Sequence, residues 1–132
     1  MIKTAENPEH PLIGVVDDDK SVRDSIRRLL TTAGFRITAF ASAEDLLASS
    51  DLDRVGCLIL DVRMPGMGGI GLQQKLAGTD WRIPIIFITA HADEQARFIT
   101  MQAGAVDFLY KPFSEELLLR AVEAALRNRQ SG

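Results

Sequence analysis

Asp61 ends an apolar run, Val55-Gly56-Cys57-Leu58-Ile59-Leu60, and a turn, Arg63-Met64-Pro65-Gly66-Met67-Gly68-Gly69, follows at once. A second acidic cluster, Asp17-Asp18-Asp19, ends the run Leu12-Ile13-Gly14-Val15-Val16. Two further runs, Ile86-Phe87-Ile88 and Phe108-Leu109-Tyr110, end at Thr89 and Lys111. Such groups at the C-terminal ends of hydrophobic strands meet at one edge of a parallel sheet, where α/β proteins place their sites. Like charges gathered there are costly unless a cation or a proton offsets them. Oxygen ligands without His or Cys suit a hard cation such as Mg²⁺, which keeps several waters and accepts a phosphate. In that setting Asp61 can attack a phosphoryl donor and form an acyl phosphate. Lys111 can neutralise the phosphoryl oxygens, and Thr89 can hydrogen-bond the product. Removing one of the crowded acids, as in Asp18→Asn, is expected to relieve about 1 kcal/mol in the metal-free protein.

The elements needed to position these groups alternate regularly. Apolar runs at 12–16, 35–40, 55–60, 83–88 and 105–110 read as strands, with helical patterns between them and after the last. The first helix carries Val22, Ile26, Leu29, Leu30 and Ala33 on one face, and Gly34 stops it. Ser42 and Ser114 read as N-caps followed by acidic residues, Asp19 as the cap of the first helix, and Gly104 as the end of the fourth. This pattern gives an α/β fold, a doubly wound five-stranded parallel sheet covered on both faces by five helices. Residues 1–11, with Pro8 and Pro11, read as a flexible leader, and 129–132 as a tail or the start of a linker.

Composition excludes several classes. The 132 residues are 46% hydrophobic, enough for one compact domain with a real core. A net charge of −3, with Lys and Arg scattered, argues against nucleic-acid binding by this segment. Cys57, the single cysteine, lies in an apolar run, packs rather than reacts, and fits a reducing compartment. No signal peptide and no bilayer-spanning stretch is present, so the expected location is cytoplasmic, without a membrane partner.

Taken together, Val16-Asp17-Asp18-Asp19, Leu60-Asp61-Val62-Arg63-Met64-Pro65, Gly69, Ile88-Thr89-Ala90, Gly104-Ala105 and Lys111-Pro112-Phe113 resemble the response-regulator receiver domains of two-component signalling. The likeness covers about residues 12–127, and the wording Ala103-Gly104-Ala105-Val106-Asp107-Phe108 looks most like receivers of nitrogen-fixation-type transcription regulators. The resemblance implies a flavodoxin-like (βα)5 receiver over 12–128, with Asp61 as phosphoacceptor. It implies Mg²⁺ held by Asp17, Asp18, Asp61 and the main-chain carbonyl of Arg63, with Thr89 and Lys111 contacting the phosphoryl group. Phe108 matches the switch aromatic, and the Lys111-Pro112 bond one that is cis in the family. Arg63 and His91 fall at the two rim positions that tune dephosphorylation. The implied donor is a histidine kinase, and the implied activity is self-catalysed phosphorylation and dephosphorylation rather than enzymatic turnover.

Plainer roles fit some of these residues. Asp19 more simply caps a helix than binds metal, and His91 more simply faces solvent than acts as an acid or base. Met64 and Met67 pack the turn after Asp61, and Trp81 covers a sheet edge. An aspartyl-phosphate hydrolase would carry a second acid where Arg63 stands, and a flavin domain would need a phosphate cradle after the first strand. A helix-turn-helix with a basic face is missing from these residues. Control of transcription through a further output domain is one reading; a stand-alone regulator acting by protein contact is the other. In the fourth helix Ala92, Ala96, Ile99 and Ala103 form a stripe that can face the sheet, leaving Phe98 and Met101 outside. Met101, Tyr110, Leu117 and Ala121 are the expected output surface, through which phosphorylation would strengthen a homodimer.

Overall fold

The computed structural model describes residues 11–131, with side chains described through Arg127. Strands β1 (Leu12–Val16), β2 (Arg36–Phe40), β3 (Val55–Asp61), β4 (Ile85–Thr89) and β5 (Asp107–Tyr110) alternate with helices α1 (Lys20–Thr32), α2 (Ala43–Ala48), α3 (Gly69–Ala77), α4 (Glu94–Gln102) and α5 (Glu115–Ser131). The strands form one parallel sheet in the order β2-β1-β3-β4-β5, the expected doubly wound architecture. Every residue of β1, β3 and β4 is buried, because helices cover both sheet faces. Alternation divides the core in two. Leu58, Leu60 and Phe87 pack with Leu46 of α2, Leu72 of α3 and Ala96 of α4. Cys57, Ile59 and Ile88 pack on the other face with Ile26 and Leu30 of α1 and Leu118 and Val122 of α5.

The expected stops and caps are in place. Asp19 caps α1 through Ser21 and Val22, Ser42 caps α2 through Asp45, and Ser114 Oγ accepts from Leu117 N. Gly34 and Gly104 take φ of +97° and +103°, which L side chains rarely adopt, so they end their helices. Expected leader residues 1–10 and Gly132 lie outside the described residues; the α5 backbone continues through 129–131.

Two helix faces differ from expectation. In α1, Ile26 and Leu30 are buried but Ala33 is exposed, since the chain turns there. In α4 the buried residues are Ala96 and Thr100, not the Ala92, Ala96, Ile99, Ala103 stripe. Thr100 can go inside because its hydroxyl donates to the Arg97 carbonyl at 3.2 Å. Ile99 is 39% exposed and faces out with Phe98 and Met101.

Candidate functional site

The strand ends deliver the chemistry. Asp17 follows β1 directly, and its N–H donates to the Phe40 carbonyl at 3.1 Å, prolonging the ladder between β1 and β2. Its side chain is fully buried and uses both oxygens: Oδ1 accepts from Asp19 N at 2.9 Å and Oδ2 from Lys111 Nζ at 2.8 Å. Asp61 is the last residue of β3; its Oδ1 accepts from Arg63 N at 3.3 Å and its Oδ2 lies 3.5 Å from Lys111 Nζ. Asp18 is exposed, yet one oxygen from each of Asp17, Asp18 and Asp61 falls within 4.8 Å of the others. Such an all-oxygen donor set fits a hard divalent cation. Arg63, whose carbonyl is the remaining candidate ligand, lies two residues past Asp61 in the same loop.

Thr89 is buried at the end of β4, its Oγ1 accepting from His91 N at 3.2 Å. The Thr89 carbonyl accepts from Lys111 N at 2.7 Å, so one backbone hydrogen bond fixes the lysine beside the threonine. The Lys111–Pro112 peptide bond is cis.

Electrostatics set the site apart. Burial, then the Asp17 charge, push the Asp61 carboxyl up to about 6, against a smaller opposing pull from Lys111. Burial lowers the Lys111 ammonium, but the Asp17 hydrogen bond and charge, joined by Asp61, outweigh it and hold the group above its ordinary value. The result is a nucleophile whose charge is disfavoured by burial and by Asp17, and which a bound cation would favour. Cys57 is buried and its thiol pushed up to about 12, so it is inert packing.

Gly69 shows how closely the acceptor loop is folded. A Cβ there would lie 2.5 Å from the Asp61 carbonyl oxygen and 3.0 Å from the Phe87 ring. Only glycine lets α3 begin against the backbone of β3.

The other candidates are placed as follows. Phe108 is buried, its ring 6.3 Å from Phe87 and 5.5 Å, edge-on, from Tyr110. Tyr110 pairs in register with Thr89, and its hydroxyl donates to Glu94 Oε2 at 2.9 Å, joining β5 to α4. Met64 and Met67 pack partly buried against the core, and Trp81 is 38% exposed before β4. His91 is exposed. The Arg63 guanidinium is paired with Asp93 at 3.1 Å rather than turned to Asp61. Of the expected output surface, Met101 and Leu117 are 36% and 51% exposed and Tyr110 is half-buried. Ala121 is buried at 4% exposure and leaves that surface, because it packs with Leu118 and Val122 against the sheet.

Sequence reading gives no role to Arg23 or Asp93. Arg23 Nη1 donates to the Asp17 carbonyl at 2.7 Å and so braces the acidic loop from α1. Asp93 caps α4, a role that an acid before Glu94 and an amphipathic segment could have suggested.

Among known proteins, residues 13–123 match the family model described as response regulator receiver domain. Nodulation protein W of Bradyrhizobium diazoefficiens is 46% identical over 114 residues, which are 86% of this chain and 50% of that protein. Transcriptional regulatory protein FixJ of the same species is 40% identical over 118 residues, 89% of this chain and 58% of that protein. The chain thus spans about half the length of these curated relatives. The solved structure of response regulator StyR superposes with a TM-score of 0.86 at 47% identity, over 92% of this chain and 62% of that one.

Proposed function

This chain belongs to the response regulator receiver domain family, and from that premise we propose that Asp61 takes a phosphoryl group from a histidine kinase. Receiver domains interact with such kinases and bind Mg²⁺ at an acidic pocket. Here Asp17, Asp18, Asp61 and the Arg63 carbonyl would hold the ion. Bound there, Mg²⁺ supplies positive charge that offsets the carboxylates and the phosphoryl oxygens.

The carrying observation is the triangle of buried Asp17 and Asp61 with half-buried Lys111, whose Nζ lies 2.8 Å and 3.5 Å from the two acids. An Asp61 oxygen attacks phosphorus, the phosphorus–nitrogen bond of the phosphohistidine breaks, and its electron pair returns to the imidazole. Lys111, already cationic and fixed by the Thr89 carbonyl, neutralises the transferred oxygens. Thr89 Oγ1 donates to one of them, and Phe108 repacks between Phe87 and Tyr110 as the threonine moves. In the reverse half of the cycle water attacks phosphorus, the bond to Asp61 breaks, and the carboxylate is restored. The domain catalyses its own modification without turning over a substrate.

The added charge would shift the surface of α4, β5 and α5 between two populated states. The relatives include transcriptional regulatory protein FixJ, of which the match covers 58%, so the remainder of that protein lies outside the matched region. Control of transcription through an attached output domain, in the cytoplasm, is therefore the proposed biological role. Incubation with acetyl phosphate and Mg²⁺ tests the chemistry. One labile phosphoryl group is expected on the parent and none on Asp61→Asn; equal labelling of both would overturn the assignment.

A further inference from the structure

Arg63 engages two partners with different atoms. Its main-chain N–H donates to Asp61 Oδ1 at 3.3 Å, while its Nη2 donates to Asp93 Oδ2 at 3.1 Å. Asp93 is the N-cap of α4, and its other oxygen, Oδ1, accepts from Ala96 N at 2.9 Å. The helix therefore pins one carboxylate oxygen and presents the second to the arginine. The link crosses 30 residues of sequence and ties the acceptor turn to the first turn of α4. The Arg63 side chain remains 57% exposed, so nothing but Asp93 fixes where the guanidinium points among the contacts described.

We infer that Asp93 is a positioning residue for loss of phosphate from Asp61: it holds the Arg63 guanidinium away from the acceptor. This rests on Asp61 being the phosphoacceptor. A phosphorylated side chain carries up to about two negative charges, whereas Asp93 carries one. The guanidinium fork matches phosphate oxygens, so a phosphoryl group on Asp61 competes with Asp93 for it. Turned to the phosphoryl group, Arg63 covers part of the face from which water must reach phosphorus. Drawn back by Asp93, it leaves that face open. Hydrolysis then proceeds: water oxygen bonds to phosphorus, a water proton goes to solvent, and the phosphorus–oxygen electron pair returns to Asp61 as inorganic phosphate leaves. The same contest ties the lifetime of the modification to the start of α4, because Asp93 Oδ2 is freed whenever Arg63 leaves it.

The test is a double-mutant cycle on phosphate lifetime in the chain labelled with acetyl phosphate and Mg²⁺. Asp93→Asn and Asp93→Ser each keep an oxygen able to cap α4 but lose the charge. Both are expected to lengthen the half-life about two- to threefold, the scale of an exposed ion pair. In an Arg63→Ala background neither should change it. Raising the salt concentration should shrink the difference between parent and Asp93→Asn. If Asp93 only caps the helix, Asp93→Asn and Asp93→Ser will decay like the parent, and the inference falls. An effect of equal size with and without Arg63 overturns it as well. A parent that takes no label at all defeats the phosphoacceptor reading and this inference together; normal labelling with unchanged Asp93→Asn decay defeats this inference alone.

Discussion

Lys111 is hydrogen-bonded to Asp17 at 2.8 Å and stands off Asp61 at 3.5 Å. The lysine is thus committed first to the fully buried acid and only second to the acceptor. Removing it strands Asp17 without its cation. Lys111→Met is expected to cost about 3 kcal/mol, the scale of breaking one side of a buried pair. Adding Asp17→Asn should recover much of that loss. Urea midpoints of the two variants and the double variant provide the measurement.

A second expectation concerns pH. The Asp61 carboxyl is raised from 3.8 to about 6 in the folded chain. Between those values the folded protein still holds a proton that the unfolded chain has released. Stability therefore falls as pH rises through this window, the reverse of the usual carboxylate. Asp61→Asn removes the effect, so without Mg²⁺ the variant should match the parent near pH 4 and exceed it by about 1–2 kcal/mol at pH 7. Chemical denaturation at both pH values checks the difference.

Gly69→Ala should act through the backbone. Its Cβ would fall 2.5 Å from the Asp61 carbonyl oxygen, a contact only a backbone shift can relieve. A loss of about 1–3 kcal/mol is expected, the cost of overpacking. Because the shift displaces the acceptor, slower labelling by acetyl phosphate should accompany it.

Asp18 separates metal binding from stability. It is exposed, and burial, the Asp17 charge, Lys111 and the Arg63 hydrogen bond each act on Asp61 more strongly than the Asp18 charge. Asp18→Asn should therefore change metal-free stability by less than about 0.5 kcal/mol, not the 1 kcal/mol expected from sequence. It should still weaken the rise in melting temperature that Mg²⁺ produces in the parent. Thermal melts with Mg²⁺ and with a chelator distinguish the two effects.

The exposed apolar residues Phe98, Ile99, Met101 and Leu117 carry the last expectation. A beryllofluoride-loaded chain is expected to dimerise through them, and Met101→Asp with Leu117→Asp to keep it monomeric in light scattering. Ala121, buried, should not matter to that association.

The rim was legible because strand ends are marked twice, by an apolar run and by the polar residue that stops it: Asp17, Asp61, Thr89 and Lys111 all follow such runs. Helix faces were less legible. In α4, alanine spacing suggested one buried stripe, while a self-satisfied Thr100 took an inner position and left Ile99 outside. Periodicity reads hydrophobicity, not whether a hydroxyl finds its partner within its own helix. Pairings such as Arg63 with Asp93 or Arg23 with the Asp17 carbonyl depend on how loops approach across the sheet, and no local pattern encodes them.

Strand order has a mechanical consequence. Asp17 just past β1 and Asp61 at the end of β3 sit on adjacent strands, whereas Thr89 ends β4 and Lys111 just follows β5, the edge strand. On the sheet face that carries Phe87 and Phe108, α4 is held by its buried residues Ala96 and Thr100 and by side-chain contacts of Arg63 with Asp93, Tyr110 with Glu94 and Gln73 with the Thr100 carbonyl. The first turn of α4 is thus tethered from two sides of the rim, to the acceptor loop by Arg63 and to the end of β5 by Tyr110, so a displacement at either tether is felt at the same helix end.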